Sequence, residues 1–175
     1  MGTTTGLAIP YVDPTDLIAD YPAAMQAQSE KIEELIGVRS HIAMRRTSDL
    51  TVPTGTDLTL PWESTLSTTG NISYASGTFT ITVPGVYLLT MVGLWQAGSS
   101  GSRYQQIMIN GSTNYVSNER QGYHTTFWVT LTSVKVMPLV ANDTVAFVLT
   151  ANSATQTLLG SVQNSTACSL TRIGL

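Results

Sequence analysis

Cysteine is almost missing from these 175 residues: Cys168 is the only one, so no disulfide can close within the chain and no multi-cysteine metal site can exist. Two readings are open for it in "TACSLTRI", a buried inert thiol or a reactive nucleophile. The second needs a nearby base, and the chain offers only His41 and His124. Charge is scarce too. Charged residues make up 11% of the chain, against about 25% in an ordinary soluble protein, while Thr, Ser, Asn and Gly are plentiful. The polar surface is therefore expected to be hydroxyl and amide, a composition common in β-rich proteins displayed outside cells or on virus particles.

The net charge of −3 comes without a basic run, which argues against a nucleic-acid partner, since phosphate binding needs clustered Lys and Arg. Arg45–Arg46 is the nearest approach to a cluster, and such a pair reads as a solvated turn or an ion-pair donor. No apolar run approaches the roughly 20 residues that span a bilayer, so no membrane partner is expected. Met1 to Gly6 has neither a basic start nor a following apolar stretch, which predicts synthesis in a reducing cytoplasm without a secretion leader.

Chemistry is equally thin. The acids beyond residue 46, Asp49, Asp57, Glu63, Glu119 and Asp143, stand far apart in sequence, and no G-x-S-x-G, H-E-x-x-H or phosphate-cradling glycine loop occurs. His124 could serve Cys168 or a serine, or simply hydrogen-bond at the surface. The expectation is no catalytic residue, no metal, no cofactor and no enzyme.

What is present divides into unequal parts. Residues 1–40 open with "GTTTGLAIPYVDPTDLIADYP", a proline-bearing arm with little periodicity that should take its shape from whatever it lies against. A helix of about four turns is predicted to follow: Asp20 is placed to cap it, Pro22 suits its first turn and Gly37 can end it. Met25, Gln28, Ile32 and Leu35 fall on one stripe at coiled-coil spacing. A helix this short is marginal in water and needs its own copies, the body of the protein or a larger assembly to dock on.

Residues 41–175 read as strands. Short β-branched and aromatic runs alternate with turn signals such as "PTGTD" at 53–57, "ASG" at 75–77, "AGSSGS" at 97–102 and "AND" at 141–143. Asn110–Gly111 is the sharpest hairpin signal. The stretch "FTITVPGVYLLT" is distinctive: Phe79, Ile81 and Val83 alternate with threonines, but beyond Pro84–Gly85 the alternation stops. Val86, Leu88, Val92 and Leu94 would then face one way and Tyr87, Leu89, Met91 and Trp95 the other. One apolar face can be filled by the chain's own core, and the other needs a cover.

"NISYASGTFTITVPGVYLLTMVGLW" resembles the central signature of the trimeric jelly rolls of the tumour-necrosis-factor and complement-globular-head type. The matching positions are Asn71, Tyr74, Gly77, Phe79, Pro84, Gly85, Val86 and Tyr87. "IMINGS" resembles that family's strand ending in Asn-Gly, and "VMPLVANDTVAFVLT" its Leu-x-x-Gly-Asp-x-Val segment, with Asn142 standing where the family has Gly. The resemblance implies an all-β jelly-roll sandwich closing as a homotrimer, whose inner sheet packs one face on the domain core and the other on neighbouring subunits. It implies Tyr87, Leu88, Leu89, Met91, Trp95, Val145 and Phe147 as inner-sheet and trimer-interface residues.

The arm is similar in style to the leaders of small tail-fibre, minor tail and decoration proteins of bacteriophages infecting actinobacteria. That likeness implies a virion component made in a bacterial host and displayed on the particle exterior. Its attachment residues would be Leu7, Ile9, Pro10, Tyr11, Leu17, Ile18 and Tyr21, and its partners itself and other capsid or tail proteins. Arg103, Tyr104, Tyr115, Arg120, Tyr123 and His124 are candidates for surface recognition, of a host glycan for instance, because Tyr and Arg are frequent hot-spot residues. The competing readings are a free-standing trimeric lectin or ligand and a hydrolytic tail enzyme.

Overall fold

The computed structural model describes residues 2–3, 10–11, 25–29, 40–98, 101–112, 119–121, 126–152, 154–162 and 166–174. Met1–Arg39 and Ser40–Leu175 form two compact units. In the first, β1 (Gly2–Thr3) pairs antiparallel with β2 (Pro10–Tyr11), and residues 25–29 are helical. The remainder of the predicted four-turn helix, with its Asp20 cap and Gly37 stop, lies outside the described residues.

Among its described residues the only regular elements of the second unit are strands. They run β3 (His41–Arg45), β4 (Leu50–Val52), β5 (Leu58–Thr59), β6 (Ser64–Thr69), β7 (Ile72–Ala75), β8 (Thr78–Ile81) and β9 (Gly85–Trp95). β10 (Ser102–Ile109), β11 (Glu119–Gln121), β12 (Val129–Leu139), β13 (Thr144–Asn152), β14 (Gln156–Leu159) and β15 (Ala167–Gly174) complete them. One sheet has the order β4-β14-β9-β15-β3-β6, with β12 on the other side of β9. The opposing sheet has the order β11-β10-β13-β8-β7, with β5 also on β13. Among the described residues every strand ladder is antiparallel, which lets each sheet bury one face and leave the other outward.

The alternation read from the sequence decides which residues meet between the sheets. β9 contributes Tyr87, Leu89, Met91 and Trp95, β8 contributes Phe79 and Ile81, and β13 contributes Val145, Phe147 and Leu149, all fully buried. Phe147 sits at the centre, edge-on to Trp62 at 5.8 Å and to Phe79 at 6.0 Å between ring centroids, an arrangement favoured by the ring quadrupoles.

Three turns explain the signature residues. Tyr74 Oη accepts hydrogen bonds from Trp62 N at 2.6 Å and Gly77 N at 3.2 Å, locking the β7–β8 turn against the segment before β6. Gly77 has φ +87°, and a Cβ there would stand 2.7 Å from Thr59 Cγ2, so only glycine fits. Asn142, in the family's glycine place, adopts φ +73°, a left-handed conformation that Asn tolerates better than other side chains. Beside it Asp143 accepts from Val140 N and from Asn110 Nδ2, each at 2.7 Å, and Asn110 Oδ1 accepts from Thr144 N at 2.8 Å. This corner ties the β10 end to the β13 start. Asn110 and Gly111 are both left-handed, and Ser112 N bonds back to Ile109 O, as the hairpin signal predicts.

A polar latch secures the segment after β3. Arg46, almost fully buried, donates to Glu63 Oε1 at 2.7 Å, to Ser48 O at 3.1 Å and to Pro61 O. Glu63 Oε2 in turn accepts from Thr47 N at 2.6 Å and Ser48 N at 2.9 Å, while Ser48 Oγ donates to Oε1. Arg46 is thus an ion-pair donor. Burial pushes the Glu63 carboxyl up, but the bonds from Ser48 and Thr47 outweigh it and hold the pKa at about 2, below the ordinary 4.5. A depressed folded-state pKa stabilises the fold fully above the unfolded value of 4.5 and less as pH falls toward about 2. Urea unfolding is expected to lose about 1–2 kcal/mol from this carboxylate across that window, after allowance for its partial exposure. Glu63→Gln should flatten the slope there; equal slopes in the two proteins would refute the latch.

Candidate functional site

The outward face of the β9 sheet follows from its register, since residues directly opposite in an antiparallel ladder share a face. Val86 lies beside Pro138, Leu88 beside Val136, Thr90 beside Val134, Val92 beside Thr132 and Leu94 beside Thr130. On the other side of β9, Thr171, Ser169 and Ala167 stand opposite Leu88, Thr90 and Val92. β3 then presents His41, Ala43 and Arg45 in the same rows. The result is an apolar stripe along β9 and β12 flanked by a hydroxyl-rich field. In that field Thr90 Oγ1 and Ser169 Oγ are 2.7 Å apart, and His41 bonds Thr171 Oγ1 through Nδ1 at 2.7 Å and Ser67 Oγ through Nε2 at 2.9 Å.

Among the described residues the stripe is incompletely covered. Val86, Leu88, Val92 and Leu94 are partly exposed, and Val134 and Val136 are 50% and 52% exposed. β12 is also an edge: among the described residues β9 is its only strand partner. Where that edge meets the Asn110–Asp143 corner lies a cavity of about 500 Å³, lined by Ile109, Asn110, Asp143 and residues 135–139 of β12. Contiguous partly apolar surface of this kind is a mark of protein interfaces.

The structure corrects the expected interface set. Val145 and Phe147 belong to the opposing sheet, and both are fully buried inside the chain. Tyr87, Leu89, Met91 and Trp95 lie on β9 but on its core face, likewise fully buried. Of the seven residues, Leu88 alone is on the outward face. The physical reason is the strand's two-residue period: consecutive apolar residues are divided between two faces, so one strand cannot offer all of them to a neighbour. Val134, Val136 and Pro138, absent from that set, complete the stripe. The spacing Val134-x-Val136-x-Pro138 was readable, but only pairing with β9 puts it beside Leu88.

Among the recognition candidates, Arg103 is corrected to a core position: it is 1% exposed and bonded to Gln156 and Gln96. Tyr104 points outward and its Oη accepts from Asn152 Nδ2 at 3.3 Å. Arg120 stands opposite Tyr104 in the β10–β11 register, so those two positions are neighbours. Tyr115, Tyr123 and His124 lie outside the described residues. So do Leu7, Ile9, Leu17, Ile18 and Tyr21 of the arm, while Pro10 and Tyr11 form β2. Cys168 is buried, and burial pushes its thiol well above the ordinary value, which makes it a core residue and a poor nucleophile. Among the described residues no three His, Cys, Asp or Glu side chains are grouped to hold a metal ion.

No protein-family profile and no curated protein sequence matches this chain. Solved structures do. Murine APRIL at pH 5.0 superposes with a TM-score of 0.60 at 13% identity, covering 77% of this chain and 99% of that one. The Eiger TNF of S. frugiperda superposes with a TM-score of 0.58 at 12% identity, covering 78% and 93%. The fold is a TNF-like jelly roll. In this TNF-like jelly roll the sheet carrying β9 is the one whose outer face bears the apolar stripe, and the sheet carrying β13 is turned away from it.

Proposed function

We propose that this chain is a non-enzymatic structural protein of a bacteriophage particle. Residues 41–175 form a head that closes as a homotrimer, and residues 1–40 attach it to a capsid or tail surface. The observation that carries the assembly is the stripe of Val86, Leu88, Val92 and Leu94 with Val134, Val136 and Pro138, partly exposed on a single chain. Fully burying an exposed Val or Leu contributes roughly 1.5–3 kcal/mol, of which these half-buried side chains gain part, and a threefold axis buries the stripe of every copy at once. The virion assignment is supported by the leader-like arm, the sparse charge and the lone cysteine. The head's work is display, with the outward-facing Tyr104 available toward a host-surface glycan.

Sedimentation equilibrium of the full chain is expected to return three times the 18.7 kDa chain mass. Rebinding of that species to stripped phage particles, followed by electron microscopy, tests the attachment. A monomer, or a trimer that rebinds no particle, removes the corresponding half of the reading. The likeness to APRIL and to Eiger TNF favours a second reading, a free-standing trimeric binding protein. That one predicts tight glycan-array or receptor binding by the isolated trimer and no affinity for particles.

A further inference from the structure

The polar end of the sandwich core holds a cation that no described residue neutralises. Arg103 and Gln105 are two residues apart on β10, both on the face turned to the core, and they are 1% and 0% exposed. Both surround the indole of Trp95: Arg103 Cζ lies 5.9 Å from the ring centroid, and Trp95 Nε1 donates to Gln105 Oε1 at 3.3 Å. Arg103 Nε and Nη2 donate to Gln156 Oε1 at 3.2 and 3.0 Å, and Nη2 also donates to Gln96 O at 2.8 Å. Every acceptor named here is neutral. Arg103 Nη1 and Gln105 Nε2 are left as buried donors with no acceptor, and among the described residues Arg103 has no acidic partner. The indole face attracts the guanidinium, but it neither accepts the spare N–H groups nor cancels the charge. A buried charge normally demands both.

We infer that the Arg103–Gln105–Trp95 cluster binds a small inorganic anion of halide size between Arg103 Nη1 and Gln105 Nε2. The ion is taken to be small because Trp95, Arg103 and Gln105 are almost wholly buried. Charge follows from the donor set, which is all N–H around a permanent cation. Burial also depresses the basicity of Arg103, and a bound anion would offset that desolvation. Gly98 keeps the cluster closed: a Cβ there would stand 2.8 Å from Gln156 Oε1 and 2.9 Å from Arg103 Nη2.

The test is thermal unfolding of the full chain as sodium gluconate is exchanged for sodium chloride or bromide at constant ionic strength. Halide is expected to raise the Tm by about 3 °C and to saturate, as binding to the folded state alone requires. Arg103→Met should abolish the response, and Gln105→Met, which keeps the cation, should weaken it. A bromide-soaked crystal should show an anomalous peak in hydrogen-bonding reach of Arg103 Nη1. Glu119 stands opposite Gln105 in the β10–β11 register, so Glu119→Gln decides whether the chain's own carboxylate serves instead. Retention of the halide response in that variant supports the anion site. A parent protein indifferent to halide, a response gained only on Glu119→Gln, or an equal response in Arg103→Met overturns it.

Discussion

Replacing Val136 with glutamate is expected to turn the proposed trimer into monomers without unfolding the domain. Val136 is 52% exposed on the single chain, so the monomer has room to keep a carboxylate there in water. In the trimer the same position lies beside Leu88 on the stripe, and the carboxylate would be dry and unpaired. That costs on the order of several kcal/mol per site, and threefold symmetry applies the cost in every copy. Sedimentation equilibrium should report the mass of one chain, while far-ultraviolet circular dichroism and the urea midpoint of the monomer remain those of a folded β-protein. A variant that sediments like its parent would show that the stripe is not the interface.

Phe147→Ala is expected to do the reverse: to weaken the fold rather than the assembly. Phe147 is fully buried and packs edge-on against Trp62 and Phe79. Truncating a buried Phe costs about 3–5 kcal/mol through lost transfer energy and the cavity left behind. For a chain of this length that corresponds to a fall in Tm of roughly 10 °C. A Phe147→Ala protein with the parent Tm but an altered mass would return Phe147 to an intersubunit role. The two variants thus separate the faces that a sequence pattern presents together.

Much of the fold was readable from the chain. The alternation of Phe79 and Ile81 with threonines, the double-sided run after Gly85, and the Gly77, Asn110–Gly111 and Asn142 turns each reflect a local constraint. Strand period and left-handed backbone depend only on neighbours in sequence. The candidate site was less legible. The pattern marks Leu88 as apolar surface in need of a cover, but Val136 and Val134 become its neighbours only through a ladder between segments nearly 50 residues apart in the chain. Arg103 shows the same limit from the opposite side. In "GSRYQQ" it is indistinguishable from an exposed recognition arginine, because nothing local announces that Trp95 and Gln156 will close over it.

Sequence alone therefore determined that the body is a β-sandwich of the TNF-like type, that its strand after Pro84–Gly85 is apolar on both faces, and where its tight turns fall. Only tertiary structure decided which of those two faces the chain fills itself, with Tyr87, Leu89, Met91 and Trp95 inward and Val86, Leu88, Val92 and Leu94 outward. It alone also buried a guanidinium in the core. The reason is physical: periodicity sorts side chains onto faces, but what covers a face is set by contacts between residues distant in the chain.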